Sequence, residues 1–161
     1  MKQFRRLALG LIASFTLLIT GCSTTANIKS AYQPVADQKL ALKVSAPPSA
    51  TQEGLQIFND RLKSQLSSRG LLAGPSDSRV LTLDVVVNKY TMRHGASRAL
   101  LGILSGTDTI ESTVRVVDSS NGAILSEFTV ESGNATAWGT SRGMIEDHAD
   151  KIVESLASGK K

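Results

Sequence analysis

Apolar side chains alternate with polar ones along four segments of the chain, and this period of two predicts β-strands. The segments are Lys39–Val44, Val80–Met92, Thr109–Asp118 and Ala123–Glu131. The last two flank a turn sequence, Asp118–Gly122, in which an Asn-Gly pair favours positive φ angles. They are therefore expected to form an antiparallel hairpin.

Two other segments show the three- and four-residue spacing of amphipathic helices. One runs over Thr51–Arg69, where Ser49 or Thr51 can cap the start and Gly70 ends the helix. The other starts at Thr140 or Ser141 and has one apolar face. The apolar positions are Leu55, Phe58, Leu62 and Leu66 in the first helix, and Ile145, His148, Ala149, Ile152 and Leu156 in the second.

Two amphipathic helices need an apolar sheet face to cover, and this requirement sets the expected fold class. We expect an α+β fold, a two-layer sandwich in which a mostly antiparallel sheet of about four strands carries two helices on one face.

The chain starts with a basic and then apolar leader. Lys2, Arg5 and Arg6 precede the apolar run Leu7–Ile19, which is the layout of a secretory signal peptide. A helix of about 13 residues rises about 20 Å, which is short of the roughly 30 Å hydrocarbon layer of a bilayer. A permanent membrane-spanning helix is therefore not expected.

The leader ends in Ile19-Thr20-Gly21-Cys22, which resembles the lipobox of bacterial lipoproteins. The resemblance implies cleavage after Gly21, attachment of diacylglycerol to the Cys22 thiol and acylation of the new amino group. Cys22 is the only cysteine, so an internal disulfide is impossible, and a free thiol in an exported protein would be prone to oxidation.

The residue after the lipobox bears on the destination. Ser23 stands where an Asp would retain a lipoprotein at the inner membrane of enteric-type bacteria. The resemblance therefore implies the outer membrane, with the domain facing the periplasm. The inner membrane and the cell surface are the alternatives.

These features divide the chain into a signal peptide (1–21), a lipidated flexible tether (22–37) and a single α+β domain (38–158). The tether is expected because its residues are small and polar and have no apolar period. The alternative is an arm packed on the domain through Ile28, Tyr32 and Val35.

Net charge adds little once the leader is removed. The full chain carries +4, and Lys2, Arg5 and Arg6 contribute three of those charges. The mature chain is close to neutral, and aromatic residues make up only 4% of the sequence. A nucleic-acid partner is therefore not expected.

The connection between the second and third predicted strands is rich in both glycine and large apolar residues. Residues 94–106 read HGASRALLGILSG. Connections of this length are usually functional or disordered, and this one is too apolar for disorder. One interpretation is a wide loop folded on the core. The other is an exposed surface for a partner or the membrane, formed by Arg98, Leu100, Leu101, Ile103 and Leu104.

This connection and its flanking strands resemble a family of short bacterial lipoproteins catalogued only as a domain of unknown function. The likeness spans roughly Val80–Leu156. It rests on Gly95-Ala96-Ser97-Arg98, on Leu101-Gly102, and on the strand-turn-strand around Val114–Asp118 and Asn121-Gly122. The family implies no known activity and no catalytic residues to transfer.

Residue patterns typical of enzymes are missing from the sequence. The two histidines, His94 and His148, have no spacing that forms a zinc site, and neither a nucleophile elbow nor a phosphate loop occurs. His148, on an apolar helix face, is more typical of a core histidine than of a ligand. We expect no catalytic residue, no metal ligand and no cofactor other than the acyl chains on Cys22.

The function expected from these observations is that of a membrane-anchored accessory or binding module in the cell envelope. Its partner would be an envelope protein, an assembly or a cell-wall polymer. The alternative is a structural or self-associating lipoprotein that uses residues 94–106.

Overall fold

A computed structural model describes residues 23–35, 37–92, 107–134 and 141–157. In these ranges two helices cover one face of a five-stranded sheet. The elements are β1 (Ser23–Ser30), β2 (Lys39–Ser45), α1 (Gln52–Ser68), β3 (Val80–Thr91), β4 (Asp108–Val117), β5 (Ile124–Asn134) and α2 (Ser141–Ala157). The predicted two-layer α+β sandwich is confirmed, with five strands in place of about four.

The strand order is β1-β5-β4-β3-β2. Three neighbouring pairs are antiparallel, and the β2–β3 pair is parallel. Parallel neighbours need a crossover connection, which α1 supplies between β2 and β3. The sheet is therefore mostly antiparallel, as expected, and its β2–β3 edge is parallel.

β1 corrects the prediction of a flexible tether over residues 22–37. Ser23–Ser30 pair with β5 along most of their length, and Tyr32 is buried. The folded domain thus starts at Ser23 and not at residue 38. The packed arm is the better description, although Ile28 and Val35 are exposed. Main-chain hydrogen bonds hold this edge strand, so its sequence needs little apolar alternation.

The inner faces of the long strands agree with the predicted alternation. Alternate residues of β3 and β4 are buried beneath the helices, namely Leu81, Leu83, Val85 and Val87, and Ile110, Ser112, Val114 and Val116. Ile124 is an exception, since an irregularity in the β4–β5 register occurs beside it and leaves it exposed. A β-bulge of this kind disrupts the regular alternation of faces.

The hairpin loop is longer than a two-residue Asn-Gly turn. The Asp118 and Ala123 main chains still bond to each other, with 2.9 Å between the Asp118 nitrogen and the Ala123 oxygen. Only Gly122 of the Asn-Gly pair has a positive φ, at 75°. The Asp118 carboxylate accepts bonds from the Ser120 backbone and hydroxyl groups, which stabilises the wider loop.

One end of the sheet is defined by a row of paired residues. Ser23 pairs with Gly133, Gly133 with Thr109, and Thr109 with Thr91. We call this the Ser23 end of the domain. The opposite end carries the loop between Asp118 and Ala123, and we call it the hairpin end.

Both helices run from the Ser23 end towards the hairpin end. The start of α1 lies against the end of β3, since the Thr51 and Tyr90 hydroxyl oxygens are 3.2 Å apart. Farther along, Arg61 of α1 donates two hydrogen bonds, of 2.7 and 2.6 Å, to Asp150 of α2. Beyond the helix, the Arg69 guanidinium donates to the Val153 carbonyl at 3.0 Å. These contacts make the two helices parallel neighbours.

Gly54, in the first turn of α1, is explained by its contact with β3. Thr51 caps the helix by accepting a bond from the Gly54 nitrogen at 3.2 Å. A Cβ atom at position 54 would overlap the Tyr90 hydroxyl. Glycine therefore stands in the turn because the helix start and the strand approach closely.

We expect the Gly54→Ala substitution to lower the free energy of unfolding by about 1–3 kcal/mol, the usual cost of overpacking. In an unhindered helix the same change would stabilise by about 0.5–1 kcal/mol. Tyr90→Phe removes the obstructing hydroxyl, so Gly54→Ala should cost less in that background. Denaturant unfolding of the two single variants and the double variant measures this coupling.

Ser64→Ala, at an exposed position of the same helix, is the control and should change stability by less than about 0.5 kcal/mol. A Gly54→Ala protein as stable as its parent would contradict the proposed close approach.

Candidate functional site

The site residues predicted from the sequence lie outside the described part of the chain. They are the cleavage-site Gly21, the lipid-attachment Cys22, and the surface formed by Arg98, Leu100, Leu101, Ile103 and Leu104. The structure does, however, place the residues that flank them. Ser23, Met92 and Thr107 all lie at or next to the row that defines the Ser23 end.

On both sides of this row, polar side chains occupy the otherwise apolar layer between sheet and helices. Asp108, Ser112, Ser132, Asn134 and His148 are all buried, and the half-buried Thr24 adjoins them. Asp108 and Asn134 are partners in the β4–β5 register. We call these six residues the buried polar cluster.

His148 is the centre of a hydrogen-bond chain within this cluster. Its Nδ1 atom lies 2.8 Å from the Ser132 hydroxyl, and its Nε2 atom lies 2.9 Å from the Ser112 hydroxyl. The Ser132 hydroxyl in turn lies 2.9 Å from that of Thr24. The chain thus connects helix α2 with strands β4, β5 and β1.

The His148 ring is held neutral by its surroundings. It is fully buried, and the Phe58 ring lies beside it, with 5.8 Å between the ring centroids. Burial lowers the pKa of His148 to about 4. A neutral imidazole has one donor and one acceptor nitrogen, and the two serine hydroxyls can satisfy either tautomer.

A serine within hydrogen-bond distance of a histidine is also the arrangement of a nucleophile and its base. Here both ring nitrogens bond to hydroxyl groups, and neither bonds to an orienting carboxylate. Ser112, Ser132 and His148 are each fully buried, so the described structure offers a substrate no route to them. The geometry therefore favours a structural role for these three residues.

The outer face of the sheet carries a row of alternating charges. Lys29, Glu127, Arg115, Asp84 and Lys43 follow one another across the five strands. Glu127 bonds to Lys29 at 2.8 Å and to Arg115 at 2.7 Å, and Lys43 pairs with Asp84 at 3.6 Å. The hydrogen bonds from Lys29 and Arg115 lower the pKa of Glu127 to about 2. This is the polar face that an antiparallel sheet can present to water.

A shallow groove between the helices is also polar. Arg142 bonds to Glu146 within it at 3.1 Å, and Arg61, which also lines it, bonds to Asp150. The described residues contain no cluster of three or more His, Cys, Asp or Glu side chains placed to hold a metal ion. Among the helices of that same part of the chain, none is long and apolar enough to span a membrane.

Comparison with protein families identifies one match. A family model described as "Domain of unknown function (DUF4410)" matches residues 25–137. The resemblance expected from the sequence is confirmed, but its extent differs. The match starts within β1 and ends before α2, whereas the likeness expected from the sequence spans roughly Val80–Leu156. No curated protein matches the chain.

Solved structures are similar to this chain. The PelC dodecamer from Paraburkholderia phytofirmans is 17% identical with a TM-score of 0.59, over 83% of this chain and 98% of that chain. Lipoprotein GNA1162 from Neisseria meningitidis is 14% identical with a TM-score of 0.45, over 75% of this chain and 97% of that one. At such identities the likeness to PelC concerns the fold alone.

The sequence contained a signal for the buried polar cluster. Serines interrupt the apolar alternation at inward positions of β4 and β5, and His148 interrupts the apolar face of α2. Buried polar residues on facing elements require hydrogen-bond partners. Here the His148 ring and the Ser112 and Ser132 hydroxyls bond to each other. Their register could not be known before the strands were paired, so the cluster was missed.

We expect stability to fall as the pH is lowered from about 6.5 towards 4, because unfolding lets His148 take up a proton that its buried site excludes. The unfolded chain then binds more protons than the folded one, so stability rises with pH in this window. The slope is about 1.4 kcal/mol per pH unit, and the total loss is about 3 kcal/mol at most. Urea unfolding at several pH values measures it.

His148→Gln should abolish the slope between pH 6.5 and 5, and the control His94→Gln should keep it. Glu127 does not interfere in this range, because its lowered pKa costs stability only as the pH falls from 4.5 towards 2. A slope that survives in His148→Gln would refute the assignment.

Proposed function

The chain belongs to the DUF4410 family, and we propose that it is a membrane-anchored lipoprotein that works as an accessory or binding module in the cell envelope. The proposal rests on one observation: the folded domain begins at the residue directly after the predicted lipobox. Cys22 ends the lipobox, and Ser23 starts a sheet strand. The module would thus be attached to the bilayer through the first residue of the mature chain.

The anchor alone is strong enough for stable attachment. Each buried methylene contributes about 0.8 kcal/mol, and two or more acyl chains give lasting attachment where one does not. The diacylglycerol and the N-linked chain on Cys22 meet this requirement. Ser23 after the cysteine favours the outer membrane, with the domain facing the periplasm.

The nature of the domain supports a binding role over a catalytic one. The Ser–His contacts are buried, and ion pairs join Arg61 with Asp150, Arg142 with Glu146, and Lys29 with Glu127. We therefore infer a partner that is an envelope protein or a cell-wall polymer. Nucleic acid is not the inferred partner, since the mature chain is close to neutral.

The apolar connection supplies a candidate partner surface, formed by Arg98, Leu100, Leu101, Ile103 and Leu104. Its flanking residues Thr91 and Thr109 are paired with each other in the row that contains Ser23. Neighbouring strands lie about 4.8 Å apart, so Thr109 is about 10 Å from Ser23 across β5. The two strands that flank the connection would therefore have these residues close to the membrane.

A second candidate is self-association through the same connection. It is favoured by the fold neighbour PelC, which is described as a dodecamer. Rings of identical subunits arise when a head-to-tail interface closes on itself. The two candidate functions can be distinguished by the chain that contacts this surface, which is a second copy in self-association and a different envelope component in the binding role.

We expect Cys22→Ala to abolish lipidation, because the thiol that receives diacylglycerol is lost. Radiolabelled palmitate should enter the parent protein and not the variant. Cys22→Ser gives a matched substitution with a similar volume and the same expected result. Palmitate incorporation into Cys22→Ala, or loss of the parent from membranes without detergent, would refute the anchor.

We expect Leu100→Asp combined with Leu104→Asp to abolish crosslinking to the partner in intact cells while leaving the melting temperature of the domain unchanged. Charged side chains on a docking surface oppose desolvation, whereas the same changes in a core would unfold the domain. Mass spectrometry of the crosslinked products identifies the neighbour. Adducts with another component support the binding module, and adducts only with itself support the second candidate.

Lys63→Asp, at an exposed position of α1, is the control and should leave both the crosslinks and the melting temperature as they are. Unfolding of the double variant would mean that the connection belongs to the core.

A further inference from the structure

We propose that the Ser23 end of the domain rests directly on the surface of the phospholipid bilayer, with the sheet and both helices extending away from it. This inference rests on the proposed lipid anchor at Cys22. It adds an orientation and a contact surface, which anchoring alone does not provide.

The first argument is that no linker separates the proposed anchor, Cys22, from the first strand of the fold. Consecutive Cα atoms are about 3.8 Å apart, so Ser23 follows within that distance of the acylated residue. Ser23 already pairs with Gly133, and Thr24 pairs with Ser132. A free linker of fifteen residues could have held the domain up to about 50 Å from the bilayer, but the strand leaves only the length of one residue.

The second argument is that the anchored strand is fixed to the rest of the domain. The Thr24 hydroxyl lies 2.9 Å from that of Ser132 near one end of β1. At the other end, Ser126 donates to the Ser30 carbonyl at 2.7 Å, and Lys29 pairs with Glu127 at 2.8 Å. The strand therefore cannot swing independently, and its orientation is the orientation of the domain.

The third argument is the geometry of the end itself. The row from Ser23 to Thr91 spans four strands, which is about 14 Å at 4.8 Å per strand. The start of α1 adjoins it through the bond from the Ser49 hydroxyl to the Tyr90 carbonyl, at 3.3 Å. Ser23 thus lies at one side of a row of paired strand residues about 14 Å wide.

The hairpin end would lie well away from the bilayer. Thr109 and Val117 are eight residues apart in β4, which corresponds to about 27 Å at the usual strand rise. The hairpin end would then face the periplasm, away from the lipid headgroups.

The test places one fluorescent label at either end of the lipidated full-length protein. Acylation occupies the Cys22 sulfur, so an introduced cysteine is the only free thiol. The matched positions are Thr91→Cys at the Ser23 end and Ser120→Cys at the hairpin end, both exposed. The labelled proteins are reconstituted in phosphatidylethanolamine and phosphatidylglycerol vesicles that contain a headgroup-nitroxide lipid quencher.

We expect the nitroxide lipid to quench the label at position 91 at least threefold more than the label at position 120. The control is a variant with fifteen Gly and Ser residues inserted between Ser23 and Thr24, which leaves the lipobox and the residue after it unchanged. A flexible linker of this length has a root-mean-square span of about 20 Å, so the difference between the two labels should disappear.

Equal quenching of the two labels, or a difference that survives the insertion, would overturn the proposed orientation. Crosslinking of position 91 to a second copy, with no quenching there, would assign this end to self-association. In each of these cases the protein still floats with the vesicles. Failure to float would instead refute the lipid anchor on which the inference rests.

Discussion

The pairing of β1 with β5 is the constraint on which the rest of the structure depends. It starts at Ser23, the residue that follows the cysteine of the predicted lipobox. Main-chain hydrogen bonds supply the pairing, and each contributes about 1 kcal/mol net. With the proposed anchor at Cys22, the domain would be attached through a structural element, and its position relative to the anchor would follow from the strand register.

The His148 chain extends this constraint into the core. The imidazole bonds to Ser112 and Ser132, and Ser132 continues to Thr24 of the edge strand. An unpaired buried hydroxyl or imidazole costs about 1–3 kcal/mol, so any register that separates these groups is penalised. Apolar residues alone would accept several registers. The polar chain favours the one register in which helix α2 and strands β4, β5 and β1 meet.

Most of the fold could be predicted from the sequence because its elements bury one face each. The alternation of Leu81 to Val87 and the spacing of Phe58, Leu62 and Leu66 mark their faces directly. β1 could not be predicted in this way, since it lies at the sheet edge and its sequence, STTANIKS, is mostly exposed. The cluster around His148 depends on which strands pair and in which register. The spacing of residues within one strand does not predict either.

The direction in which β1 meets the anchor also affects how the domain bears force. A partner that draws the hairpin end away from the membrane would load β1 along its own axis, because the anchor precedes Ser23 and the strand runs towards the hairpin end. Hydrogen bonds of an antiparallel pair lie perpendicular to the strands, so such a load is shared by the whole ladder. Pulling sideways would open the bonds one after another. An edge strand that starts next to the proposed anchor and runs away from it would therefore be well placed to hold a domain on a membrane.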